Sequence, residues 1–274
     1  MNIGLVIPCL NAGATIAATI DSILEQKYPA LDLLVVDGGS ADNTMEVVQS
    51  YGDQLRWISE ADEGQADAIN KGLKNVYGEI VKWVNADDVL TPDSLVRVAH
   101  FFSHNPDVDF AYGDIEFINM DGEVIGIHRE PSFSSFVMIY GHNLFADPAS
   151  FWRADAVKAI HYLDKENRYS MDYEMWLKLY NGGATFRNLP FVLAQYRIEE
   201  NNASIFNQNE MRIEHFDILT RYSPWLAKLS TNMRYKLLSI LLIVARIYKT
   251  AKVFFERREF KVLSFEKLVE KARS

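Results

Sequence analysis

Two periods of hydrophobic and polar positions alternate along the first hundred residues. IGLVIP, from Ile3, is a short apolar run closed by Pro8 and reads as a buried strand. After the turn NAGAT, the apolar residues Ile16, Ile20, Ile23 and Leu24 fall at helical spacing. LDLLVVDGG is continuous in apolar residues, as parallel strands covered on both faces are. Ser40, Asp42 and Asn43 offer caps for a helix through Val47 and Val48. LRWIS reads as a third strand, and Ile69, Leu73 and Val76 mark a helix closed by Gly78. EIVKWVN is a fourth strand. Thr91 and Pro92 predict a cap and an N1 proline for a helix through Leu95, Val98 and Phe102. Strand–helix units in this order imply an α/β fold with a mostly parallel sheet and right-handed crossovers.

The pattern changes from Val108. DFAYGDIEFINMDGEVIGI predicts two strands around a turn at Met120–Asp121–Gly122. PSFSSFVMIYG fits a short helix or a loop. MDYEMWLKLYNGG predicts a helix with Met175, Trp176 and Leu179 on one side, ended by Asn181–Gly182. FRNLPFVLAQYRI predicts two short strands broken at Pro190. Beyond Ser204 the pattern is helical, so the chain divides into an α/β domain over 1–203 and a helical extension over 204–274. In the extension, LLSILLIVARIY, Leu237 to Tyr248, is shorter than the roughly 20 apolar residues of a membrane span. It reads as a helix packed on the body. The alternative is contact with a membrane surface, helped by Arg246, Lys249, Lys252, Arg257 and Arg258.

Charge sharpens that alternative. Residues 221–274 hold 13 Lys/Arg and 4 Asp/Glu, a net of +9, while the whole chain is −9, which leaves −18 on the first 220 residues. An acidic body argues against nucleic acid as a partner. A single cysteine, Cys9, excludes a disulfide framework within the chain and fits a reducing, cytoplasmic setting. MNIGLVIPCLNAG lacks a basic n-region and a long apolar h-region, so it reads as a first strand and not a signal peptide.

Ligands on parallel α/β sheets gather at the carboxyl ends of the strands. Asn11, Asp37 and the group Asn85, Asp87 and Asp88 occupy those ends. Asp87 and Asp88 are either solvated turn residues or oxygen ligands for Mg2+ or Mn2+ shared with a diphosphate. Asp37, before two glycines, is either a turn aspartate or an acceptor for a base N–H or ribose hydroxyl. Asp172 opens a helix, so it either meets the helix dipole or serves as a general base at a pocket edge. GGSADNT matches neither a dinucleotide-binding loop nor a P-loop, and no G-x-S-x-G elbow occurs. His100 and His104, four residues apart, read as compensation of a helix end.

Three segments together resemble glycosyltransferase family 2 in order and spacing: VIPCLNAGATIAATIDSILEQKYPALDLLVVDGGSADNT, DEGQADAINKGLKNVYGEIVKWVNADDVL and MDYEMWLKL. The resemblance covers roughly Met1 to Arg197. It implies a GT-A fold, a nucleotide-diphosphate sugar donor, a divalent cation and inversion at the anomeric carbon. By the resemblance, Pro8, Leu10 and Asn11 line the nucleotide site and Asp37 reads the base. Asp67 and Asn70 lie near the ribose and phosphates. NADD matches the D-x-D region, with Asn85 on the ribose and Asp87, helped by Asp88, on the metal. Asp172 matches the catalytic base, and DPASFW a stretch on the acceptor side. Asn85 replaces a common aspartate, Asp147 a common histidine, and EENNAS lacks a histidine usual in that loop. The implied acceptor is a cell-surface glycan or lipid-linked molecule, and the implied place is the cytoplasm or the inner face of a membrane. The absence of a Q-x-x-R-W motif argues against a processive synthase. Two rival readings are a sugar nucleotidyltransferase, which would need a basic phosphate loop that NAGAT lacks, and a catalytically silent nucleotide-sugar-binding scaffold at a membrane.

Overall fold

The computed structural model describes residues 1–141, 147–198 and 208–257. The N-terminal half follows the predicted alternation: β1 (Ile3–Cys9), α1 (Ile16–Leu24), β2 (Leu31–Asp37), α2 (Thr44–Ser50), β3 (Arg56–Ser59), α3 (Gln65–Asn75) and β4 (Ile80–Trp83). β5 (Val89–Leu90) and α4 (Ser94–His104) follow. The second half holds β6 (Phe110–Ile118), β7 (Val124–His128), α5 (Ser135–Tyr140), β8 (Ser150–Arg153), α6 (Ala154–Ala159), α7 (Met171–Asn181) and β9 (Phe186–Arg197). Three helices close the described chain: α8 (Gln208–Tyr222), α9 (Pro224–Ala227) and α10 (Thr231–Arg257).

One sheet runs in the order β3-β2-β1-β4-β8-β6-β9-β5, with β7 on β6. β8 is antiparallel to both its neighbours, β4 and β6, and β5 is antiparallel to β9; the other strands on this path share one direction. β1 is buried along its whole length because the sheet continues on both sides of it and helices cover both faces. Its side chains alternate between two cores. Ile3, Leu5 and Ile7 meet Ile16, Ile20 and Ile23 of α1 and Leu95, Val98 and Phe102 of α4. Val6 belongs to the opposite core with Ile69 and Leu73 of α3 and Met175, Trp176 and Leu179 of α7. α3 lies so close to β1 that a Cβ on Gly72 would stand 2.1 Å from a Val6 methyl.

The structure departs from the sequence pattern at three places. β9 is one strand, not two. Its pairing with β6 shifts register between Tyr112 and Asp114, and Pro190 sits in that irregular stretch, where the missing N–H breaks no ladder. Thr91 does not cap α4. Its hydroxyl donates to the Val192 carbonyl at 2.8 Å, and the cap position falls to Asp93, in the left-handed region at φ 62°. Leu237–Tyr248 is not simply a buried helix. α10 buries Ala245, Lys249 and Val253, but Ile240, Ile243, Val244 and Ile247 are exposed. The expected boundary at 203/204 lies outside the described residues. The helices after it share the second core, since Ile218, Leu219 and Leu226 pack with α3 and α7 side chains.

Candidate functional site

The parallel strands β1 and β2 deliver their carboxyl ends to one rim of the sheet, and the loops after them are bonded side by side. Asn11, in the left-handed region at φ 52°, donates its backbone N–H to Ser40 Oγ (2.8 Å) and accepts from Ala41 N–H (2.9 Å) through its side chain. Pro8 is buried within β1, whereas Leu10 projects from its end into solvent. Asp37 ends β2 and is fully buried. Its carboxylate accepts from the Ser40 hydroxyl, the Ser59 hydroxyl (2.7 Å) and the Gly39 and Ser40 backbone N–H groups. Burial pushes this carboxyl up, but those donors together outweigh it and hold Asp37 below the usual carboxylate range. Cys9 packs beside it, and burial next to that negative charge drives the thiol up to about 12, so it is an inert packing residue.

Asp67 and Asn70 lie on α3 and both fasten it to the segment between α6 and α7. Asp67 pairs with Lys165 and, at 3.4 Å, with Lys71; the Lys165 ammonium is the main reason its carboxyl falls to about 2. Asn70 makes a reciprocal pair with the Leu163 backbone, donating to the carbonyl at 2.9 Å and accepting from the N–H at 3.0 Å. These contacts give both residues a clasping role within the fold.

The acidic end of β4 is electrostatically unusual. Asn85 donates to Asp88 Oδ2 (2.9 Å) and accepts from the Gln65 amide (3.0 Å). Asp88 is 1% exposed, and its Oδ1 is buried with no hydrogen-bond partner. Burial, then the charges of Asp87 and Asp147, push the Asp88 carboxyl well up. Asp87 is half-buried and also raised by burial, with Arg197 opposing the shift. The Arg197 guanidinium donates to the Asp87 backbone carbonyl at 3.2 Å, tying β9 to this turn.

Beneath the turn lies a residue that the sequence pattern hides. Lys82, mid-strand in β4, is fully buried, and its ammonium donates to the Asp147 carbonyl at 3.0 Å. Burial draws it down to about 8, while the charges of Asp147 and Asp88 pull the other way. Asp147 is itself pushed to about 7, chiefly by burial; Lys82 counters this and the charge of Asp172 adds to it. Asp172 sits half-buried in the first turn of α7. Asp87, Asp88, Asp147 and Asp172 thus form a chain of neighbouring charges, each acting on the next, with the buried Lys82 ammonium beside Asp88 and Asp147.

α8 braces this place from outside the sheet. Its Glu214 accepts backbone N–H bonds from Arg168, Tyr169 and Ser170 at 2.6–2.7 Å, ordering the residues just before Asp172. Its Arg221 reaches the buried Glu174 of α7 at 2.7 Å. Next to Asp172, the Tyr173 ring stacks on His215 of α8 with centroids 4.0 Å apart. His215 lines a cavity of about 280 Å3 between α5, α8 and α10, together with Tyr140, Phe216, Tyr235, Leu242 and Arg212.

Among the described residues no group of three or more His, Cys, Asp or Glu side chains could cage a metal ion. Asp87 and Asp88 nevertheless suit a hard divalent cation. Both adjacent acids stay raised by burial despite the charges of Arg197 and Lys82, and one buried Asp88 oxygen has no hydrogen-bond partner; Mg2+ or Mn2+ takes one or two carboxylates and completes its shell from substrate phosphates.

The family model described as glycosyl transferase family 2 matches residues 5–160. The chain belongs to this family. Similarity to a Rickettsia typhi protein described as an uncharacterized glycosyltransferase is 26% identity over 243 residues, covering 83% of this chain and 72% of that one. A PGL/p-HBAD biosynthesis glycosyltransferase of Mycobacterium bovis is 35% identical over 116 residues, 40% of this chain and 45% of its own. The chain spans about a third of the length of a Rickettsia felis relative, 36% by coverage. Among solved structures, S. aureus TarS 1-349 in complex with UDP-GlcNAc matches with a TM-score of 0.68 at 17% identity, covering 99% of this chain and 79% of that one. The mannosyltransferase PcManGT from Pyrobaculum calidifontis, in complex with GDP-Man and Mn2+, matches with a TM-score of 0.63 at 16% identity, covering 99% and 73%. At these identities the likeness is one of fold, and the fold is the GT-A arrangement of this glycosyltransferase family.

Proposed function

We propose that this family 2 glycosyltransferase moves a sugar from a nucleotide-diphosphate donor to an acceptor hydroxyl, inverting the anomeric carbon, at the rim formed by β1, β2 and β4. The observation that carries the reading is the chain of neighbouring carboxylates Asp87, Asp88, Asp147 and Asp172, with Asp88 Oδ1 orphaned. Asp87 and Asp88 would hold Mn2+ or Mg2+. When bound, the cation supplies charge stabilisation to the departing diphosphate.

The loops after β1 and β2 form the nucleotide side, with Asn11, Leu10 and Pro8 along one wall. Asp37 is kept ionised by its hydroxyl and amide donors, and it would accept a base N–H once the Ser40 or Ser59 hydroxyl turns away from it. Asn85 offers its carboxamide to the ribose, while Asp67 and Asn70 hold α3 in place beneath the ribose and phosphates. Asp172 takes the proton of the acceptor hydroxyl as that oxygen attacks from the face opposite the diphosphate, so the centre inverts in a single displacement. Asp147, raised toward neutrality, lessens the repulsion that a second full negative charge would impose beside Asp172. The cavity beyond the Tyr173–His215 stack favours an acceptor with an apolar part, such as a lipid-linked cell-surface glycan precursor.

The test is a thermal-shift panel of UDP-, GDP-, dTDP- and CMP-linked sugars, each with Mn2+ or EDTA, on the wild type and on Asp87→Ala. One nucleotide class should raise the melting temperature only with metal, and Asp87→Ala should abolish the rise. No metal-dependent shift with any nucleotide would overturn the reading.

A further inference from the structure

We infer that the outward face of α10 is a docking surface for an anionic lipid bilayer. This inference stands on the packing of the helix and goes beyond the sugar-transfer reading. A helix on a globular body normally turns its apolar stripe inward. α10 divides its apolar residues instead: Ala245 and Val253 are buried and Leu237 and Leu238 pack against the second core, but a second apolar stripe faces solvent. Its inward side carries Lys249, 6% exposed and bonded to the buried Glu130 at 2.8 Å. The same side carries Lys252 and Glu256, which grip Ser132, and Arg257, which reaches Asp114 Oδ1 at 3.4 Å and Asn188 Oδ1 at 2.9 Å. Its outward side carries Met233, Ile240, Ile243, Val244, Ile247 and Phe255, all exposed, with Ile247 at 65% and Phe255 at 77%. Their spacing puts them on one stripe along the helix. A contiguous exposed apolar surface of this kind marks a contact site.

Charge selects the occupant. Glu256 is the one acid in α10, and it is turned inward onto Ser132. Lys236 and Arg246 stay exposed, neither in an ion pair among the described residues. Residues 221–274 carry a net of +9 against −18 on the rest of the chain. Two copies of the chain meeting through α10 about a two-fold axis would set basic helix against basic helix. An anionic headgroup layer instead complements the charge while the apolar stripe enters the acyl boundary. No helix among the described residues is long and apolar enough to cross a membrane, so α10 would lie in the plane of the interface.

The experiment is co-sedimentation of the full chain with phosphatidylcholine vesicles, with and without phosphatidylglycerol. Three proteins are compared: wild type, Ile243→Ser with Ile247→Ser, and Lys236→Glu with Arg246→Glu. Wild type should pellet with the anionic vesicles, and added salt should weaken its binding. Each double variant should lose binding about tenfold or more while melting at the wild-type temperature. If the serine variant fails to fold, the charge-reversed one decides alone. The inference is overturned if wild type pellets with neither vesicle, or if both variants bind as wild type. It is also overturned if wild type forms a dimer that the serine variant breaks and that has no affinity for vesicles. The donor panel is read separately, so failure here leaves the catalytic reading intact and the converse also holds.

Discussion

α1 and α10 are both amphipathic helices held on the same sheet protein, but only α10 is held partly by a buried ion pair. α1 buries Ile16, Ile20 and Ile23, together with the small polar Thr19, and carries no buried charge. α10 buries Lys249 against Glu130 beside the small apolar Ala245 and Val253 and leaves its isoleucines outside. A hydrophobic stripe therefore reveals that a helix has two faces, but not which one the protein keeps. The attachment also differs in kind. Apolar burial on α1 is non-directional and tolerant, whereas a buried ion pair must keep both partners or leave one charge stranded in a dry setting.

The sharpest test of this contrast is Lys249→Met. It removes the cation whose charge keeps Glu130 ionised against burial, and it should cost about 3–5 kcal/mol in chemical denaturation. Ile20→Ala in α1 should cost about 2–5 kcal/mol by transfer loss and cavity formation. Ile247→Ser on the open face of α10 should change stability by only about 0.5 kcal/mol. A large loss from Ile247→Ser, or none from Lys249→Met, would reverse the assignment of the two faces.

A second test asks whether the C-terminal helices matter to the site. Glu214→Gln removes the charge from three charge-assisted bonds to the segment ahead of Asp172. With the preferred donor and acceptor, kcat should fall roughly tenfold while donor affinity holds, because the substitution disturbs the placement of Asp172 and not the nucleotide loops. A change in donor affinity with unaltered kcat would place α8 on the wrong side of the reaction.

The smallest expected effect is on pH dependence. The folded pKa of Asp67, about 2, lies below the ordinary aspartate value. Its contribution to stability is therefore complete above the unfolded pKa and is lost as pH falls through roughly 4 to 2. Asp67→Asn should flatten the melting temperature over that window relative to wild type and leave the slope above pH 5 unchanged.

The same contrast explains what could be read from the amino acids beforehand. β1 to β4 were legible because strands covered on both faces have unbroken apolar runs, and their interleaved helices repeat at 3.6. The polar strand ends were legible as a rim for the same reason. Lys82 was not, because within IVKWV a lysine reads as a strand position that reaches solvent, and the groups around its ammonium, the Asp147 carbonyl and the Phe151 and Trp152 rings, come from far downstream. Asp147 stood out only as a departure from the family pattern, since nothing local reveals that Asp172 lies near it. Pro190 suggested a strand break because a ladder normally needs every N–H; the shifted register opposite Gly113 removes that need. Glu214 had no local signal, as its three donors lie more than forty residues upstream.

The insertion of β8 between β4 and β6 bears on how the chain acquires its structure. β4 emerges early in synthesis beside β1, yet its other edge pairs with Val81↔Trp152 and Ile80↔Arg153, far downstream. Until Ser150–Arg153 is made, the nascent sheet presents an open strand edge, the feature that templates association between chains. β6 in turn waits for β8 on one side and β9 on the other. Closure of such non-local pairs is slow, so this part of the sheet sets the pace of folding and the period of exposure to aggregation. A chain cut between α4 and β8 would keep its first four strands and remain stuck at that open edge.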